Sequence, residues 1–482
     1  MSTQAPAPEG RVLGAPAPAP PEVRVVPQLV ADMRSELRAR RRIGLPPGTH
    51  GLSLEVMRRT FSDPLGLLLE HHARYGPVFT IRHGPQVIVW AIGAHANHQI
   101  LVSEFDAFSW REGRFVDLWP LLGDGLLNID GPFHRDARKV LIPAFHSEQV
   151  AAVGDTMVAE GAAAAQRLRP GQTLELYGWS RRLAMRIALR GLLGIEGGDE
   201  QALADAFERA LGFHGLPVPL QMVRGPGTPH ARVLRARAEL DERLFTEIRA
   251  RRRAGDPGPG VLGVLLACTD GEGHELPESV VRDQTTTLLF AGHDTTTATL
   301  TFLGYELARN PAAQAAVQAE LDTVLGDRDP TAAELGGKAL PVLERTLDET
   351  LRLYPPAWVG PRRSLRDVEI AGTRIPAGVG VQYSSWATHH LAELYPDPER
   401  FDPDRFAPGG PVAQLPKGAY VPFGGGSRMC LGKRFGQYEL RALAATLLRR
   451  VRLEPAAGER LQIAVTPTLG PKDGLRVVVS PR

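Results

Sequence analysis

One cysteine, Cys430, stands in the segment Phe423-Gly-Gly-Gly-Ser-Arg428-Met-Cys430-Leu-Gly432, directly ahead of a helical pattern. Gly424, Gly425 and Gly426 let the backbone turn tightly and aim its N–H groups at whatever lies beneath. From Lys433 onward Leu440, Leu443, Ala444 and Leu447 recur at helical spacing. The fold therefore has to present a sulfur at a helix N-terminus, where the dipole and free N–H groups favour a thiolate. Taken alone, the segment also suits a small buried hydrophobe beside an ordinary turn. The remaining motifs decide between the two.

With 482 residues and 43% hydrophobic content, the chain has material for a deep core. Lys+Arg 56 against Asp+Glu 54 leaves +2, which gives no global reason to bind nucleic acid. The two cysteines, Cys268 and Cys430, exclude a disulfide scaffold and fit a reducing, cytoplasmic setting. No run of about 18 apolar residues and no signal-peptide core opens the chain, so no transmembrane anchor is expected. Residues 1–25 are Pro/Ala-rich and are expected to be disordered. Residues 26–44 read as a basic amphipathic helix with Val26, Leu29, Val30, Met33 and Leu37 on one face. A surface helix with a solvated basic side accounts for it, and a peripheral membrane contact is the alternative. Leu45-Pro-Pro-Gly48 then opens the folded body, residues 45–482.

Short strands are expected at 77–81 and 86–90, and a hairpin over 366–380. Helices are expected at about 228–254, 278–309 and 341–353. This is a mainly α chain with minor β, in one domain. The helix at 278–309 carries Thr285, Thr286, Thr287, Thr295, Thr296, Thr297, Thr299 and Thr301. Threonine is a poor helix former, and Gly292 in mid-helix costs about 1 kcal/mol against alanine. Within Ala291-Gly-His-Asp294-Thr295-Thr, Thr295 is placed to bond back to the carbonyl of Ala291, loosening the helix and leaving a groove. Asp294 adds a titratable group beside it, and His293 reads as a polar contact to a neighbouring helix. Glu349 and Arg352 share one helix face, followed by Leu353-Tyr354-Pro355-Pro356 and later by Phe401-Asp-Pro403-Asp-Arg405-Phe406. His134 and Arg138 stand at i and i+4 after Gly131-Pro132.

Aromatic-x-x-Gly-x-Arg-x-Cys-x-Gly, with these motifs in this order, resembles the cytochrome P450 family, soluble bacterial type, over about residues 45–482. The resemblance implies a single-domain fold enclosing haem b, with Cys430 as the axial ligand of its iron between Phe423, Arg428 and Gly432. It implies that Ala291 and Gly292 face the flat cofactor, and that Asp294 and Thr295 form a catalytic proton relay. Glu349, Arg352 and Arg405 become a buried network. His134, Arg138, Arg428 and either Arg362 or Arg363, with the spacing favouring Arg362, become propionate ligands.

The implied activity is a monooxygenase of the kind used in secondary metabolism. It inserts one atom of O2 into an apolar small molecule: a terpenoid, fatty acid, steroid or polyketide. Candidates for the substrate pocket are Phe108, Trp110, Phe115, Trp119, the segment Phe213–Val218, Leu288, Phe290, Ala357, Trp358, Val359 and Leu469. Most of these aromatics are equally compatible with core. With no flavin or iron–sulfur pattern, electrons are expected from a separate ferredoxin or flavodoxin with its reductase, docking at Lys433, Arg434, Arg135 and Lys139. A peroxide-driven or non-oxidative haem-thiolate enzyme would not need the Asp294-Thr295 pair. A haem-binding sensor would call for a further signalling module, and no motif suggests one.

Overall fold

The computed structural model describes residues 12–13, 25–84, 86–113, 119–195, 197, 200–213, 216, 220, 223, 225–270 and 272–482. Phe115, most of the Phe213–Val218 segment, and residues 1–25 apart from 12, 13 and 25 lie outside them. Eight helices carry the argument: α1 Val25–Arg42, α2 Gly131–Leu141, α3 Leu176–Ile187, α4 Glu200–Gly212, α5 Pro229–Ala254, α6 Glu278–Arg309, α7 Pro341–Leu353 and α8 Lys433–Leu448. The chain divides into two compact units. One holds Pro18–Val116 and Arg345–Cys430; the other holds Met1–Ala17, Asp117–Glu344 and Leu431–Arg482.

The first unit is built on a six-stranded sheet. Its strands are β1 Gly48–Thr49, β2 Val78–His83, β3 Gln86–Ala91, β4 Phe108–Ser109, β5 Gly360–Ser364 and β6 Gly380–Tyr383, in the order β1-β2-β3-β6-β5-β4. Trp90 of β3 sits opposite Phe79 of β2 in an antiparallel pair and opposite Gln382 of β6 in a parallel one. The hairpin expected at 366–380 forms from Val368–Ile370 and Thr373–Ile375. Side chains at alternate positions, among them Val78, Val89, Ile370 and Val381, pack into one core with Ile100. Phe108, 5% exposed, belongs to that core.

The second unit is organised around α6, which packs against α3, α8 and the strand Val451–Pro455. Burial explains how a threonine-rich segment becomes a helix of 32 residues. Thr285, Thr297, Thr299 and Thr301 donate their hydroxyls to the carbonyls four residues back, at 2.7–2.9 Å. These four hydroxyls are thus satisfied within the helix, and packing outweighs the low propensity. Helices at 229–254 and 341–353 match the hydrophobic periodicity, α5 ending on Gly255 in the left-handed region.

Glu349 and Arg352 of α7 are both fully buried. Glu349 Oε2 accepts from Arg352 Nε at 2.7 Å and its Oε1 from Arg352 Nη2 at 2.9 Å. Arg405 Nε stands 3.5 Å from the same carboxylate, which also accepts from the Asp402 N–H at 2.9 Å. Arg352 spends its other donors on the carbonyls of His389 (2.9 Å) and Pro398 (2.8 Å). Burial pushes the Glu349 carboxyl up, and Arg352 pulls it back. Removing one partner strands the others: Glu349→Ala is expected to cost about 3–5 kcal/mol. Urea unfolding of the purified variant checks this, and a midpoint unchanged from the parent contradicts it.

Candidate active site

In the first unit the loop around Cys430 closes on its own backbone. Gly424 N donates to Val421 O at 3.0 Å, Met429 N to Gly426 O at 3.2 Å and Cys430 N to Phe423 O at 2.9 Å. Gly426 has φ 60°, and a Cβ there would stand 2.1 Å from the Leu101 carbonyl oxygen. Only glycine fits. The turn leaves Cys430 exposed, whereas Cys268 is buried. Gly432, two residues on, caps α8. The loop is tied to the Glu349–Arg352 network through His389, whose Nε2 accepts from Val421 N at 3.0 Å. Nδ1 therefore carries the proton and donates to the Arg352 carbonyl at 3.1 Å. Burial holds this imidazole well below its ordinary pKa, so it stays neutral.

The doubled arginine of β5 separates by strand alternation. Arg363 Nη1 lies 2.8 Å from Asp32 Oδ1, with its Nε 3.7 Å from Glu112. Arg362 turns the other way, 3% exposed, with its guanidinium carbon 3.4 Å from the Trp110 ring centroid. Arg428 approaches the same ring to 5.2 Å. Two guanidinium groups gathered at one indole suit an anionic ligand with more than one carboxylate, which is what haem propionates are. Trp110 is accordingly a platform for these cations. Trp358 stacks on Trp90, centroids 6.3 Å apart, while Val359 is half-buried and Ala357 exposed.

In the second unit the informative observation is an interruption of burial. From Gln284 to Ala308 every residue of α6 is buried except Ala291, Gly292 and Thr295. Positions i, i+1 and i+4 share one face, so this stretch of the helix has one less-covered patch of two small residues and one hydroxyl. A flat ligand fits such a cradle. A Cβ at Gly292 would meet only a Leu192 methyl, at 3.3 Å. Thr295 Oγ1 donates to the Ala291 carbonyl at 2.6 Å. Asp294, 2% exposed, points away from the patch and accepts from Thr468, next to fully buried Leu469. Leu288 and Phe290 are each 6% exposed. Trp119 opens a short helix, and its side chain lies outside the described atoms. On α2, His134 is 5% exposed and Arg138 half-buried.

Several groups here were not anticipated. Thr296 Oγ1 donates to Glu439 Oε2 of α8 at 2.9 Å, and burial pushes the Glu439 carboxyl up to about 8. Its signal was legible: Glu439 falls in the apolar stripe Phe435, Ala442, Leu443. His293 Nε2 lies 3.2 Å from Glu208 Oε1 of α4, in line with the helix contact expected for it. Arg181 of α3 also pairs with Glu208. Burial opposes ionisation of Glu208, but His293 and Arg181 outweigh it and its pKa falls below the ordinary value. Tyr177, buried beside Arg181 and close to the Asp294 charge, is pushed up to about 12. Thr468 and Glu208 come from remote segments, and no local pattern marks them.

A family model described as "Cytochrome P450" matches residues 49–473. The chain is 34% identical over 434 residues to cyclooctat-9-en-7-ol 5-monooxygenase of Streptomyces melanosporofaciens, covering 87% of this chain and 91% of that protein. It is 30% identical to pentalenene oxygenase of Streptomyces avermitilis, covering 85% and 91%. Among solved structures, the retinoic acid-bound cyanobacterial CYP120A1 superposes with a TM-score of 0.81 at 31% identity, covering 91% of this chain and 99% of that one.

Glu439 gives these contacts a pH signature. Its folded pKa, about 8, lies above the ordinary 4.5, so the folded protein keeps a proton that the unfolded chain releases. The stability this contributes is complete below about pH 4.5 and is lost as pH rises through about 8. Glu439→Gln keeps an acceptor for Thr296 and is expected to flatten the fall in Tm across that window. Parallel Tm–pH curves for the two proteins rule the assignment out.

Proposed function

Because the chain belongs to the cytochrome P450 family, a haem-dependent monooxygenase family that uses O2 and hydrophobic substrates, we propose that it oxidises a cyclic terpenoid hydrocarbon or alcohol. What carries this reading is the uncovered patch of α6: Ala291, Gly292 and Thr295 offer small apolar surface with one hydroxyl. Its support from relatives is that the names of two of them specify cyclooctat-9-en-7-ol and pentalenene.

Haem, when bound, supplies the electron-transfer and oxygen-activating chemistry. The residues of this chain hold and serve it. Cys430 offers its sulfur to the iron as a thiolate, favoured by the N-terminus of α8 that begins past Gly432. Arg362, Arg428, His134 and Arg138 are the cations and N–H donors for the propionates. Thr295 keeps a proton at Oγ1 on the uncovered patch, and Asp294, which accepts from Thr468, would take up protons from solvent water and pass them on to that hydroxyl. Leu288, Phe290 and Leu469 give the substrate side its apolar character. Electrons come from a separate acidic ferredoxin or flavodoxin with its reductase, docking at exposed Arg135, Lys139 and Arg434 beside Lys433.

Titration of the haem-loaded protein with cyclic sesquiterpenes and diterpenes is expected to shift the Soret band, with tight saturation for at least one ring system. A shift with fatty acids and none with terpenes removes the terpenoid assignment. In Thr295→Ala, electron consumption is expected to continue while product per electron falls about tenfold or more. Measuring hydrogen peroxide beside product checks this, and unchanged coupling takes Thr295 out of the relay.

A further inference from the structure

The outward face of α1 serves none of the chemistry above. The helix is pinned to its sheet through both of its acidic residues. Asp32 accepts from Arg363 at 2.8 Å and from Gln86 Nε2 at 3.3 Å, and Glu36 pairs with Arg82. Ala39, 2% exposed, lies on the same inner side. At about 100° per residue, the opposite face then carries Val30, Met33, Arg34, Leu37, Arg38 and Arg41. All six are exposed. Val30, Met33 and Leu37 reach 39%, 46% and 53%. Single exposed apolar residues are ordinary, but here three form one stripe alongside three arginines, with every carboxylate of the helix turned inward. Arg82 also donates to the His50 carbonyl at 2.6 Å, which brings the segment leading to Leu52 and Leu54, 76% and 84% exposed, beside Glu36.

We propose that this face of α1 lies in the surface of a bilayer bearing anionic headgroups. Val30, Met33 and Leu37 enter the acyl boundary, and Arg34, Arg38 and Arg41 pair with phosphates. No helix among the described residues is long and apolar enough to cross a membrane, so the contact is peripheral. Charge complementarity selects this occupant. A second copy in a two-fold contact would set arginines against arginines. An acidic protein would satisfy the arginines and leave the apolar stripe unused. Such a contact would hold the enzyme where apolar substrates dissolve.

The test uses the haem-loaded full chain, sedimented with vesicles of phosphatidylcholine alone or mixed equally with phosphatidylglycerol. Partition onto the mixed vesicles is expected, weakening as salt is raised. It should fall about tenfold or more in Arg34→Glu/Arg38→Glu and in Met33→Glu/Leu37→Glu. Both variants should keep the parent Tm and reduced carbon monoxide spectrum, because these side chains face water. Equal partition onto neutral vesicles overturns the proposal, and so does wild-type binding by either variant. Self-association without vesicle binding, abolished in Met33→Glu/Leu37→Glu, assigns the face to a second copy and also overturns it.

Discussion

Glu349 has no water to ionise into, and that constraint organises one half of the chemistry. Burial pushes its carboxyl up, and Arg352, Arg405 and the Asp402 N–H gather around it to offset that cost. Arg352 then reaches past it to the His389 carbonyl, and His389 in turn fixes Val421 at the base of the cysteine loop. The Phe423 carbonyl holds the Cys430 N–H. A buried ion group is a poor source of net stability, but it accepts few alternative geometries. Here that intolerance is passed along backbone hydrogen bonds to the position of one sulfur.

The other half is organised by a helix that buries its hydroxyls rather than hydrating them. Threonine side chains that close onto their own carbonyls let α6 run through the interior with those hydroxyls satisfied from within. Where the burial lapses, at Ala291, Gly292 and Thr295, the helix presents two small residues and one hydroxyl. The neighbouring polar residues divide by face. Asp294 and His293 look into the protein toward Thr468 and Glu208, while Thr296 engages the protonated Glu439.

What could be read beforehand follows from the range of the interactions. Helix α6, helix α7 and the cysteine loop were legible because their periodicity and glycine chemistry are local. The contact of Arg405 with Glu349, 3.5 Å in the structure, was reached through family resemblance, since 56 positions separate them. Thr468 on Asp294 was missed because nothing near either residue announces a partner so remote in sequence. Phe108 and Trp110 show a related limit: an aromatic looks the same in a string whether it ends in a core or under a guanidinium. Strand alternation at β4 and β5 made that choice, through pairings between segments some 250 residues apart.

The pair Arg362-Arg363 shows what depends on that alternation. One guanidinium lies on the Trp110 ring and its neighbour binds Asp32 of α1. A shift of β5 by a single position would exchange the faces of the two, moving each guanidinium away from its present partner. The pleat therefore acts as a sorting device for two chemically identical side chains. A one-residue slip in the pairing of this strand would turn each of its side chains to the opposite face while leaving the sequence unchanged.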